Sequence, residues 1–118
     1  MAYDEELAGR VRAAVAGEEG LDEKKMFGGL AFLVHGHMAV AASGQGGLMV
    51  RVDPADTATL VDDDTVTRME MRGRQMDGWL RVTTDAVATD EALAAWADRG
   101  VAFVRTLPPK RLTGAQIW

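Results

Sequence analysis

Two histidines, His35 and His37, stand one residue apart. On a continuous strand that spacing puts both imidazoles on one face, where they could share a metal ion. Gly36 lies between them, however, and His35-Gly36 separates two β-rich runs, which is the signature of a two-residue hairpin turn. The turn breaks the shared face, and the chain has no cysteine to serve as a third ligand. The pair is therefore expected to be solvated hairpin residues. A metal site, a partner contact or a histidine that senses pH are the alternatives. No metal and no other cofactor is assigned.

A second chemical candidate is Lys24-Lys25-Met26-Phe27-Gly28-Gly29. It lacks the glycine and Lys-Ser/Thr spacing of a phosphate loop. Adjacent glycines at the start of a strand mark a bulge or a close backbone approach. The functional alternative is an exposed edge whose open backbone donors, beside Lys24 and Lys25, accept an anion or an incoming strand. Arg51, Arg68, Arg72, Arg74 and Arg81 fall on the following strands and one loop. Pairing with Glu70, Asp77 and the Asp62-Asp63-Asp64 run is the simple expectation. A patch of Lys24, Lys25, Arg51, Arg72 and Arg74 that binds a small anionic ligand, with enzymatic use of it, is the rival, because arginine's planar fork suits carboxylate and phosphate. The seven methionines, among them Met49, Met69, Met71 and Met76, serve either as core filler or as an adaptable binding face.

Catalytic constellations are missing. There is no thiolate, no Gly-x-Ser-x-Gly elbow and no His-Glu-x-x-His, and Ser43 is the only serine. A non-catalytic role is expected.

The elements that position these residues follow from patterning. Asp4 caps a helix over residues 4–16, with Glu5 and Glu6 in its first turn and Leu7, Val11, Ala14 and Val15 on one stripe. Met26 to Val34, then His37 to Ala42, then Leu48 to Val52 read as three strands with short links, hence an antiparallel meander. Asp53-Pro54 starts a short helix, with Asp56 placed for a variant capping box. Strands at 66–71 and 79–83 follow, joined by a loop over 72–78, and alternation puts Thr67, Met69 and Met71 on one face. A last helix begins at Thr89 or Asp90, keeps Leu93, Trp96, Ala97 and Val101 at helical spacing, and stops before Pro108-Pro109. The order α-β-β-β-α-β-β-α predicts an α+β domain with a five-stranded antiparallel sheet. It spans residues 1–110, and 111–118 form a tail that is either without order or docked through Ile117 and Trp118.

The 118 residues carry 18 acidic and 13 basic side chains, a net charge of −5. That balance disfavours direct binding of nucleic acid. The charge is uneven: acids crowd residues 4–23, whereas Arg99, Arg105, Lys110 and Arg111 close the chain without a carboxylate side chain among them. The acidic N-terminus has no signal-peptide core, and no apolar run approaches the roughly 18 residues of a membrane span. A cytoplasmic chain without membrane contact is expected.

Lys24-Lys25-Met26-Phe27-Gly28-Gly29-Leu30-Ala31-Phe32, then Leu48-Met49-Val50-Arg51-Val52, Gly78-Trp79, Ala94-Ala95-Trp96 and Leu107-Pro108-Pro109-Lys110 resemble the N-terminal domain of the TfoX/Sxy family. The likeness runs over about residues 1–110. It implies a secretion-chaperone-like α+β fold, a sheet flanked by helices. The family takes its name from regulators of competence for DNA transformation, so the resemblance also implies a regulatory setting, here in a stand-alone N-terminal domain. The expected role is a protein-interaction module that binds a protein partner or a second copy of itself through a sheet surface or edge. The tentative site comprises Lys24, Lys25, Met26, Phe27, Gly28, Gly29, Arg51, Arg72 and Arg74.

Overall fold

A computed structural model of the chain describes residues 3–26, 28–71 and 73–108. The first helix, α1 (Glu5–Val15), begins where the Asp4 carboxylate accepts from the Glu6 and Leu7 N–H groups, so two of its free donors are satisfied. Leu7, Ala8, Val11 and Val15 are buried along its inner stripe.

Six strands follow, β1 (Leu21–Met26), β2 (Gly29–Val34), β3 (His37–Ala42), β4 (Leu48–Arg51), β5 (Val66–Met71) and β6 (Arg74–Val82). They form one antiparallel sheet in the order β1-β2-β3-β4-β6-β5. Between β4 and β5 a 3₁₀ turn (Pro54–Asp56) leads into α2 (Thr57–Leu60), and a second 3₁₀ turn (Asp85–Val87) leads into α3 (Asp90–Val104). Asp53 accepts from Ala55 N–H and Thr89 from Ala92 N–H, as the capping pattern requires. Asp56 makes no side-chain cap bond, so the variant capping box is not formed.

The α+β class and the antiparallel sheet agree with the sequence, but the sheet has six strands where five were expected. The additional strand is β1. Its four central residues, Asp22, Glu23, Lys24 and Lys25, are all charged and exposed, so it carries no apolar alternation to betray it. Its backbone nonetheless pairs with β2 along its whole length, from Leu21 opposite Val34 to Met26 opposite Gly29. The expected loop at 72–78 is also mostly strand. β6 begins at Arg74, and a register shift at Arg68/Met69 absorbs the extra residues.

The turn at His35-Gly36 is a hairpin, with both residues at positive φ (51° and 86°). Gly29 meets the close-approach expectation: a Cβ there would lie 2.3 Å from the Ala42 carbonyl oxygen. Gly29 therefore belongs to an interior strand, and the sheet edge next to it is β1.

One face of the sheet is covered by α1 and α3, and the main core lies between. Phe32, Val40, Leu48, Val50 and Leu80 from the strands meet Val11, Leu93, Ala97 and Val104 from the helices. The two helices also hold each other at the rim, where Arg10 donates to Asp90 and to the Val87 carbonyl. Trp96 packs on this core only partly buried, with the Arg99 guanidinium 5.4 Å from its ring.

Candidate interaction face

The second face of the sheet has a core of its own. Ala31, Met38, Ala41 and Met49 are buried there, with Met26, Leu33, Met69 and Trp79 packed around them and partly exposed. No described helix residue belongs to this cluster, and α3 comes near it only where Phe103 meets Arg51 at the end of β4. Strand alternation explains the assignment. Val50 stands opposite Leu80 in the main core, so the flanking pairs, Met49 opposite Arg81 and Arg51 opposite Trp79, point to the other side. The result is a small checkerboard on two adjacent strands, with cations on one diagonal and apolar side chains on the other.

The Arg51 guanidinium lies 4.9 Å from the centroid of Trp79 and 5.7 Å from that of Phe103 in α3. This is the cation–π geometry in which arginine is held by ring faces rather than by a counter-ion. Burial lowers the Arg51 pKa from its ordinary value, which leaves the group charged at any physiological pH. Arg81 donates to the Gln45 side-chain oxygen. Four ion pairs occur among the described residues, namely Arg10–Asp90, Arg12–Glu23, Arg68–Asp77 and Arg105–Glu18. Neither Arg51 nor Arg81 takes part in one.

Arg81 also stands between two hollows. The larger, about 330 Å³, is lined by Gln45, Gly47, Thr67, Val82, Thr83 and Thr84. The smaller, about 80 Å³, is lined by Met49, Met69, Ser43 and the exposed Glu70.

The structure spreads out the residues singled out in the sequence. Lys24 and Lys25 are exposed on β1 at one edge, and Arg74 is exposed at the start of β6 next to the opposite edge strand. Arg51 lies between them on β4. Met26 joins the second apolar cluster, Gly28 occupies the β1–β2 turn at positive φ and Gly29 opens β2. Phe27 and Arg72 lie outside the described residues, as does the 111–118 tail. Between Lys24 and Lys25 on β1 and Arg51 on β4 stand the two strands β2 and β3. Of the expected partners, Asp77 does pair, with Arg68 at 2.8 Å. Asp62 instead organises its own turn, accepting from Thr65 Oγ1 at 2.6 Å and from the Asp64 and Val66 N–H groups. These bonds, the Thr65 hydroxyl foremost, hold its pKa at about 2.

The two histidines are engaged separately. The His35 ring fills the space beside Gly20, where a Cβ would sit 1.8 Å from its Cδ2. His37 Nε2 donates to the Pro108 carbonyl oxygen at 2.6 Å, while Nδ1 is buried without a partner. Among the described residues no three His, Cys, Asp or Glu side chains gather as a metal-binding group.

Trp79, Arg81, Leu33 and Met69 were not among the tentative site residues. Alternation over 79–82 carried the signal for the first two. Its meaning depended on knowing that β6 lies beside β4.

An antiparallel sheet with helices packed on one side and a methionine-rich cluster with two arginines on the other defines an α+β module. The chain matches the TfoX N-terminal domain over residues 13–104, most of its length, and belongs to that family. Comparison with curated proteins and with solved structures gave no match.

Proposed function

We propose that the chain is a non-catalytic protein-interaction module of the TfoX N-terminal type, cytoplasmic and regulatory in setting, that binds a protein partner or a second copy of itself. The observation that carries this reading is the second face of the sheet. A sheet normally hides both faces or leaves one polar, whereas here Met26, Leu33, Met69 and Trp79 remain partly exposed over a buried apolar floor. Methionine suits a surface that must adapt to what it binds. The edges are less inviting, because Asp22 to Lys25 line β1 with charge, a usual device against strand addition. Family membership supports a regulatory setting. Among the described residues no helix is long and apolar enough to cross a membrane, which is compatible with a cytoplasmic place.

Light scattering over a range of concentrations, combined with cross-linked affinity capture from cell extract, tests the reading. Self-association or specific retrieval of a protein is the expected result. A strict monomer that retrieves nothing above background overturns it.

A further inference from the structure

We infer that the second face of the sheet takes an acidic amphipathic segment of a partner protein, whose carboxylates meet Arg51 and Arg81 and whose apolar side chains lie on Leu33, Met69 and Trp79. This inference rests on the interaction reading above and names the chemistry of the partner.

Charge placement is the first support. The chain as a whole carries −5, and the four ion pairs among the described residues tie Arg10, Arg12, Arg68 and Arg105 to acids. Arg51, at the end of β4 where it also reaches Phe103 of α3, and Arg81 form no ion pair among the described residues, although Glu70 lines a hollow with Arg81. Arg51 lies against ring faces and makes no hydrogen bond among the described residues, and Arg81 holds one neutral amide oxygen. Diagonal positions on neighbouring strands set them roughly 7–8 Å apart at the backbone. Two acids one helical turn apart, or two apart on a strand, bridge that distance.

Surface chemistry is the second support. Met26, Leu33, Met69 and Trp79 are partly exposed around the buried Met49, and they are two thioethers, a leucine and one indole rather than a rigid aromatic platform. Among the described residues the cluster holds one aromatic ring, Trp79, so stacking of successive nucleic-acid bases has little to work on. The overall negative charge also opposes a polyanion. A helix-sized acidic and apolar segment fits both halves of the checkerboard. The chain's own residues 109–118 are a poorer complement, since their side chains bring Lys110 and Arg111 and no acid.

The hollows beside Arg81 extend the site. The larger is lined by Thr67, Thr83 and Thr84 together with Arg81, so a carboxylate entering there meets hydroxyl-bearing side chains as well as the charge. Glu70 borders the smaller hollow and favours an apolar group there over a second acid.

Fluorescence anisotropy on the full chain tests the assignment, with three labelled probes. One is a peptide of about 16 residues, long enough to form a helix, with leucines on one stripe and glutamates beside it. The second replaces each glutamate by lysine, and the third is oligothymidylate. The acidic peptide is expected to bind and the lysine peptide is not. Losing two charge-assisted contacts should weaken binding by roughly 100-fold in the R51Q/R81Q double variant. The W79A change should weaken it about tenfold, whereas R74Q and K25Q leave it within about twofold. Amide chemical-shift changes should map to β4 and β6 and spare the outer surfaces of α1 and α3. The site assignment falls if the acidic peptide fails to bind, if the lysine peptide or oligothymidylate binds as tightly, or if R51Q/R81Q binds like the parent. Should the chain still self-associate or capture a partner unchanged by R51Q/R81Q, this assignment fails alone and the interaction reading stands.

Discussion

Gly100 of α3 stands so close to β3 that a Cβ would lie 2.3 Å from the Ala39 carbonyl oxygen and 3.4 Å from Val50. Helix and sheet touch there through backbone, and no side chain can yield to make room. In α1, by contrast, a Cβ on Gly9 would meet nothing within 4 Å.

The same substitution is therefore expected to have opposite signs at these two places. G100A forces the helix off the sheet and should destabilise by about 1–3 kcal/mol, more than its helix-propensity gain returns. G9A keeps that gain and should stabilise by about 0.5–1 kcal/mol. Urea unfolding of both variants checks the pair. Two shifts of the same sign would contradict the contact geometry.

Thr57 is buried, and its Oγ1 accepts from the buried Gly78 N–H at 2.8 Å, tying α2 to the bulged stretch of β6. T57V keeps the shape and removes the acceptor. A loss of about 1–3 kcal/mol is expected for the donor left unpaired, and T57S should recover most of it. Equal midpoints for T57V and the parent would show that Gly78 finds another partner.

Asp62 has its pKa drawn down from 3.8 to about 2 by hydrogen bonds to its ionised form. A depressed carboxylate pKa contributes stability that is complete above the unfolded value and is lost as pH falls through the folded one. The parent's advantage over D62N should accordingly be constant above about pH 4 and shrink as pH drops towards about 2. Thermal melts of both proteins across that range read the difference directly. A gap that stays constant would place the cause elsewhere.

Arg12 and Glu23 form a two-pronged ion pair at 2.7 and 2.9 Å, linking α1 to the edge strand β1. Each partner shifts the other, with the Glu23 pKa lowered and that of Arg12 raised, chiefly through the hydrogen bond between them. The Arg12 side chain is 54% exposed, so water competes for the same atoms. R12Q should leave the unfolding midpoint nearly unmoved at moderate salt. A large loss that salt does not reduce would mean the pair does more than its exposure allows.

Much of the fold could be read from local chemistry, because its boundaries are made locally. Asp4, Thr89 and Asp53-Pro54 cap helices within their own turns, and His35-Gly36 makes a hairpin with its own backbone angles. β1 escaped because its charges report exposure, while its pairing is a matter of backbone. The 74–78 stretch escaped because Gly78 owes its place to Thr57, 21 residues away. The interaction face was harder still. Arg51 and Trp79 become neighbours only because β6, not β5, lies beside β4. No spacing rule in one dimension announces that. The tentative site followed runs of like residues along the chain, whereas the face collects unlike residues across it.

The contact between α1 and α3 has a consequence for how the chain is made. The stripe of Leu7, Val11 and Val15 is sealed in part by Leu93, Ala97 and Val104, so α1 leaves the ribosome well before the helix with which it shares a core. Until α3 emerges, all the intervening hairpins can form and that stripe still lacks its cover. Closure then depends on one long-range docking step, the kind of event that sets slow folding rates. A chain cut short before residue 90 would expose the inner surface of its sheet, and a chaperone that shields nascent apolar stretches has its target in α1 and that surface.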